Sequence, residues 1–110
     1  MARYWFIAQS NPVAGREEEF NDWYWNEHLK DILAIPGVVS GQRFTLAPAQ
    51  FPHADSSFKY LAVYELDVDD PRKFIEEMGA RAASKRMSRS TSLAPGASVV
   101  IWQVMPAPLA

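Results

Sequence analysis

The sequence of 110 residues contains no cysteine. That excludes a disulfide framework, a thiolate nucleophile, an iron–sulfur cluster and a Cys-ligated zinc site. The absence fits a reducing cytoplasm. No apolar run approaches the roughly 18 residues needed to cross a bilayer. The Met1–Ile7 start is too short, and too quickly interrupted by Arg3, to read as a signal peptide. Two histidines without cysteine, and no paired-carboxylate spacing, leave no basis for a structural zinc site or a glycosidase pair. There are five glycines, and none belongs to a GxGxxG, GxxxxGK[ST] or GxSxG motif; HExxH is also missing. The expectation is therefore no cofactor and no metal. What remains open is proton transfer, isomerisation, cyclisation, lyase chemistry, cofactor-free oxygenation or plain ligand binding.

Positive charge is also scarce. Eleven Lys and Arg face 13 Asp and Glu, for a net charge of −2 and a pI near 5.6. A polyanion binder usually carries a basic excess, so neither nucleic acid nor an anionic membrane is an expected partner. Aromatic rings, by contrast, are abundant: four Trp, four Tyr and six Phe. So small a chain has limited interior. Part of this aromatic surface is expected to line a cavity or meet a partner chain.

Reading along the chain, Arg3–Gln9 is rich in aromatic and β-branched residues and is predicted to be a strand. Ser10-Asn11-Pro12 and Gly15 break it. A helix is predicted from about Arg16 to Leu33, with Glu17, Glu18 and Glu19 complementing the dipole in its first turn. Pro36-Gly37 stops it. Val38–Leu46 and Phe58–Leu66 are predicted strands, joined by a polar loop that carries His53. Asp70-Pro71 is a helix start, Asp as cap and Pro in the first turn. Phe74, Ile75 and Met78 form that helix's expected apolar stripe, Gly79 is a candidate kink, and the end falls between Ala83 and Arg89. Ala97–Met105 is the fourth strand, followed by a frayed tail.

The order β-α-β-β-α-β predicts a single α+β domain over residues 1–110. Its architecture would be ferredoxin-like: a four-stranded antiparallel sheet with both helices on one face. Strands one and four carry apolar residues on both faces. A bare apolar sheet face calls for a second layer, and the simplest supplier is a second copy of the chain.

The densest chemical signal lies on the first helix. At about 100° per residue, Tyr24, His28 and Ile32 stack on one stripe, with Phe20, Trp25 and Leu29 flanking it. His28 is predicted near the middle of the sheet-facing arc. Desolvation there would lower its pKa and leave a neutral imidazole able to accept a proton. Tyr24 would hydrogen-bond it or bind a substrate oxygen. The alternative is a core histidine satisfied by one hydrogen bond. His53 is either a second catalytic group or a solvated loop residue. Arg43 is either a clamp for a carboxylate or enolate oxygen, or an ion-pair partner of Glu65 on the sheet surface. Trp5, Trp25, Tyr60, Tyr64 and Trp102 are candidate walls of a substrate pocket or of an interface. Lys85, Arg86 and Arg89 are read as complementing the second helix's C-terminus.

The segment Asn11-Pro12, Glu19-Phe20-Asn21-Asp22-Trp23-Tyr24, His28, Pro36-Gly37-Val38 and Arg43-Phe44 resembles the dimeric α+β barrel superfamily, in particular its EthD-like members. The resemblance implies a homodimer in which two sheets enclose a barrel, with a pocket between sheet and helices in each subunit. The layout is also similar to that of the methylmuconolactone methylisomerases, which carry one functional histidine on the first helix and another after the second strand. On that resemblance His28 and His53 are candidates. The implied activity is a cofactor-independent isomerase, lyase or cyclase acting on a hydrophobic aromatic-derived or lactone-like molecule. A non-catalytic EthD-like ligand-binding or accessory protein, and a cofactor-free or haem-linked monooxygenase of the same fold, stand as alternatives.

Overall fold

A computed structural model describes residues 3–108. The strands are β1 (Arg3–Ser10), β2 (Val38–Thr45), β3 (Tyr60–Asp67) and β4 (Ser98–Gln103). The first helical rod has three consecutive segments: α1 (Glu17–Trp23), a π-helical turn (Tyr24–His28) and α2 (Leu29–Leu33). The second helix is α3 (Pro71–Ala83). All strands are antiparallel in the order β2-β3-β1-β4, which is the ferredoxin-like sheet expected from the element order.

Sequence signals account for the element ends. Asp70 caps α3 by accepting from the Arg72 amide at 3.0 Å, and Pro71 fills the first turn, where no donor is lost. The helix runs unbroken through Gly79. Gly37 turns the chain with φ +94°, a conformation that side chains resist, and a Cβ there would collide with Val68. β3 starts at Tyr60 rather than Phe58. The Asn11 side chain holds the approach by donating to the Ser57 carbonyl at 2.8 Å and accepting from the Lys59 amide at 2.7 Å. The part of the tail at Leu109 and Ala110 lies outside the described residues.

Strand alternation separates the two sheet faces. Phe6, Ala8, Ala62, Tyr64 and Leu66 point toward the helices and pack with Phe20, Trp23, Tyr24, Leu29, Ile32 and Phe74. The Phe6 ring sits 5.4 Å from Tyr64 and 5.3 Å from Phe74, tying sheet to α3. Ile75 does not join this stripe. It is exposed, and Met78 takes the inward place beside Phe74.

The other face bears Trp5 opposite Trp102, Ile7 opposite Val100 and Val63, and Phe44 opposite Leu61. Trp102 is 61 % exposed. Among the described residues no helix covers these rings, so Trp5 and Trp102 belong to the open face rather than to any space between sheet and helices.

Candidate functional site

The π turn decides how the first helix presents its chemistry. The Leu29 amide bonds the Tyr24 carbonyl five residues back, so each hydrogen-bonded ring here encloses one residue more than in an α-helix. Tyr24 stays on the sheet side and is buried. His28 rotates away from the middle of the sheet-facing arc that α-periodicity predicts, toward the chain that follows α3. Its ring stacks on Trp23 at 4.6 Å and meets Tyr24 edge-on at 4.8 Å.

A cavity of about 270 Å³ opens beside it, lined by Trp23, His28, Ala82, Met87, Ser88, Arg89, Ser90 and Leu93. Its far wall is the loop after α3, which is firmly held. Ser88 is gripped by groups spaced four residues apart on the first helix. Trp23 Nε1 donates to Ser88 Oγ at 3.1 Å, Ser88 Oγ donates to Glu27 at 2.9 Å, and the Ser88 amide donates to Asp31 at 2.8 Å. The loop is also pinned to the β1–α1 connection by the Val13 amide on the Ser92 carbonyl at 2.7 Å and the Ala94 amide on the Asn11 carbonyl at 2.9 Å. Neither Ser88 nor Met87 stands out in the sequence. The signal was present as Trp23, Glu27 and Asp31, a stripe of hydrogen-bonding groups with no obvious target.

His28 Nδ1 is buried and has no hydrogen-bond partner. The bland alternative, a core histidine satisfied by the protein at that nitrogen, does not describe it. Burial pushes its pKa down to about 4, the Arg43 cation adds to the effect, and the Asp31 carboxylate opposes it. The imidazole is therefore neutral at pH 7.

A stability consequence follows from the linkage of proton binding to folding. The unfolded chain takes up the His28 proton near pH 6.5 and the native chain only near pH 4. The His28 contribution is fully present above pH 6.5 and is lost progressively as the pH falls from 6.5 to 4. Over that window it amounts to about 3 kcal/mol. Urea unfolding at pH 7 and pH 4.5 is expected to show this drop, and His28→Gln is expected to flatten it. Equal pH slopes for the two proteins would contradict it.

Tyr24 also borders a second site on its other side. The Arg43 guanidinium lies 4.3 Å from the Tyr24 ring, 5.2 Å from Trp25, 5.3 Å from Tyr60 and 5.6 Å from Phe20. Arg43 is buried and does not pair with Glu65. Glu65 lies on the opposite sheet face, bound to Arg3 at 2.6 Å. Tyr64 is a core residue with a buried, unpartnered hydroxyl, and burial raises its pKa. Its ring needs Gly41 opposite, where a Cβ would stand 2.9 Å from Tyr64 Cδ1. Burial likewise raises the Tyr24 pKa, so its phenol keeps its proton. Tyr60 donates to Glu17 and accepts from Asn21 Nδ2 at 3.2 Å, while Lys59 pairs with Glu17 at 2.7 Å.

His53 is not brought to His28. It sits exposed in the β2–β3 loop with φ 68° and lines neither cavity. That loop joins the sheet beside Glu17, and eleven helical residues, roughly 16 Å of rise, separate Glu17 from His28. Arg89 and Arg86 serve the end of α3: Arg89 donates to the Ala82 carbonyl at 2.8 Å, and Arg86 lies 3.8 Å from Glu77.

No family model matches the chain, and no curated protein matches it. Solved structures do. An ethyl tert-butyl ether D (EthD) family protein from Bacillus halodurans is 15% identical, with TM-score 0.59, covering 96% of this chain and 100% of its own. A dimeric ferredoxin-like protein from a Jannaschia species is 14% identical, with TM-score 0.62, covering 93% and 99%. An arginine-to-serine mutant of MhuD, crystallised with two manganese protoporphyrin IX molecules per active site, is 16% identical, with TM-score 0.64, covering 97% and 99%. The chain thus has the ferredoxin-like fold found in EthD-type proteins.

Proposed function

We propose that this protein is a cofactor-independent acid–base enzyme of isomerase or lyase type. It acts on a small apolar ring, lactone-like or aromatic-derived, held beside His28. The observation that carries the reading is a neutral imidazole with a buried, unpartnered nitrogen on the wall of an apolar cavity. Unsatisfied buried polar groups in native structures are rare and often functional. The volume of about 270 Å³ is just below the range of about 300–1,000 Å³ typical of drug-sized ligands, and suits a substrate of one ring.

In this reading the imidazole takes a proton from a carbon next to the substrate carbonyl. The C–H electron pair moves into the carbonyl as a dienolate conjugated with the substrate's ring double bond, and the imidazolium returns the proton at the far carbon of that system, so that the double bond shifts. No net proton is gained or lost. A base whose pKa is about 4 gives its proton back readily, which suits a shuttle better than a net deprotonation. Tyr24, protonated and in contact with the His28 ring, orients the base. His53, in its exposed loop, has no part in this step.

The test is incubation with a panel of five-membered enol-lactones, followed by proton NMR. Isomerisation or deuterium uptake from D₂O that depends on His28 supports the reading. A panel left untouched, with the His28 resonances unmoved at millimolar ligand, would overturn it.

The reading includes a cytoplasmic homodimer joined through the open sheet faces. Its support is the uncovered apolar face and the dimeric description of the Jannaschia neighbour. Among the described residues no helix is long and apolar enough to cross a membrane. Trp102→Glu places a charge on that face, on edge strand β4 beside Trp5, and is expected to yield monomers by light scattering. A variant that remains dimeric would move the interface elsewhere.

A further inference from the structure

The Arg43 side chain is only 8 % exposed, yet its Nε and Nη2 have no hydrogen-bond partner. A buried charge is costly unless it is paired. Among the described residues, no carboxylate forms an ion pair with it. Glu65 is held by Arg3 across the sheet, and Glu17 is shared by Lys59 and Tyr60. What surrounds the cation is aromatic: Tyr24, Trp25, Tyr60 and Phe20, all with ring centroids within 5.6 Å. Cation–π attraction offsets part of the cost but leaves the N–H groups unused.

The cation also borders open space. A cavity of about 340 Å³, separate from the one beside His28, is lined by Asn21, Trp25, Arg43, Phe44, Thr45 and Tyr60. Nε and Nη2 form one edge of the guanidinium, the edge whose two parallel N–H groups match the two oxygens of a carboxylate. Asn21 Oδ1, in the same cavity wall, is a second buried atom without a partner, and it is an acceptor. Half-exposed Trp25 supplies a flat apolar wall at the mouth. One cation, without a cluster of other donors, suits a monoanion better than a phosphate.

We propose that the Arg43 cleft is a binding site for an aryl carboxylate. The carboxylate pairs with the Nε/Nη2 edge of Arg43, and the ring lies against Trp25 and Tyr60. A ring hydroxyl on the ligand would donate to Asn21 Oδ1. The side chain turns slightly outward to meet the anion, exchanging aromatic contact for two charge-assisted hydrogen bonds. The site stands independently of the reaction assigned to His28.

The probes are benzoate and its neutral isostere benzamide, titrated into the full-length protein by calorimetry and ligand-observed NMR. Benzoate is expected to bind at least about tenfold more tightly than benzamide. Arg43→Gln is expected to erase that preference, Trp25→Ala to weaken both ligands, and His28→Gln to change neither. Arg43 is buried, so its variant can fail to fold. The wild-type Arg43 Nε–H resonance then decides, and it is expected to move on adding benzoate and to stay in place with benzamide. Equal affinity for the two probes, or an unmoved Arg43 resonance at saturating benzoate, would overturn the proposal. Loss of lactone turnover in His28→Gln with benzoate binding intact would separate this site from the catalytic one.

Discussion

His28→Gln is expected to lower turnover of the true substrate by about 10²–10⁴-fold, the usual contribution of a positioned proton-transfer group. Glutamine keeps much of the volume and hydrogen-bonding capacity of the imidazole, so the stacking place on Trp23 and the cavity wall survive. What it removes is the nitrogen that can take up a proton and release it. The loss should therefore fall on kcat, with KM changing little, because binding rests on Trp23, Met87 and Leu93. The pH profile carries a second signature. The active form is the neutral imidazole, so kcat/KM should be flat through neutrality and fall as pH drops through about 4. Tyr24→Phe retains the ring edge against His28 and removes the hydroxyl, so a smaller loss is expected. A His28→Gln protein with full turnover would remove the base from the mechanism.

Phe20→Ala is expected to cost about 3–5 kcal/mol of stability, the range for deleting a buried aromatic ring. Phe20 is 0 % exposed and is the hub of the aromatic cluster. Its ring lies 5.5 Å from Tyr60, 5.6 Å from Tyr24 and 6.3 Å from Trp23. Removing it leaves a cavity that neighbouring rings on two different elements cannot fill without moving. Small domains are stable by only about 5–15 kcal/mol, so the variant loses a large share of its margin. Trp25→Ala, further along the same rod and half exposed, should cost no more than about 1 kcal/mol. Urea unfolding at one fixed protein concentration checks both, since a dimer's stability depends on concentration. Similar losses for the two variants would mean that the core is not organised around Phe20.

The fold was legible because its two periodicities are clean. β3 alternates Tyr60, Ala62 and Tyr64 on one face against Leu61, Val63 and Glu65 on the other; the structure keeps that division and shows that the first set, with Leu66, is the inward one. Asp70-Pro71 marked a helix start that the Arg72 amide confirms. The site was harder to read for specific physical reasons. A π turn leaves no trace in a pattern assumed to advance 100° per residue, so His28 was expected over the sheet and lies instead against the loop after α3. The partner of Arg43 depended on register as well as alternation. Arg43 faces Ala62, on the parity opposite to Glu65, and only the observed pairing of β2 with β3 settles that. Ser88 was invisible because its three partners come from an element more than fifty residues earlier. Ile75 was assigned to the core because it is apolar, although the burial of α3 centres on Phe74.

The central claim is that His28 is held as a neutral, desolvated base on the wall of an apolar cavity. The most direct measurement is the proton titration of its ring carbon-bound hydrogens by NMR from pH 3.5 to 8, with the resonances of exposed His53 recorded in the same spectra. The expected His28 midpoint is about 4. A His28 midpoint near the ordinary value of 6.5 would mean a solvated ring and would contradict it.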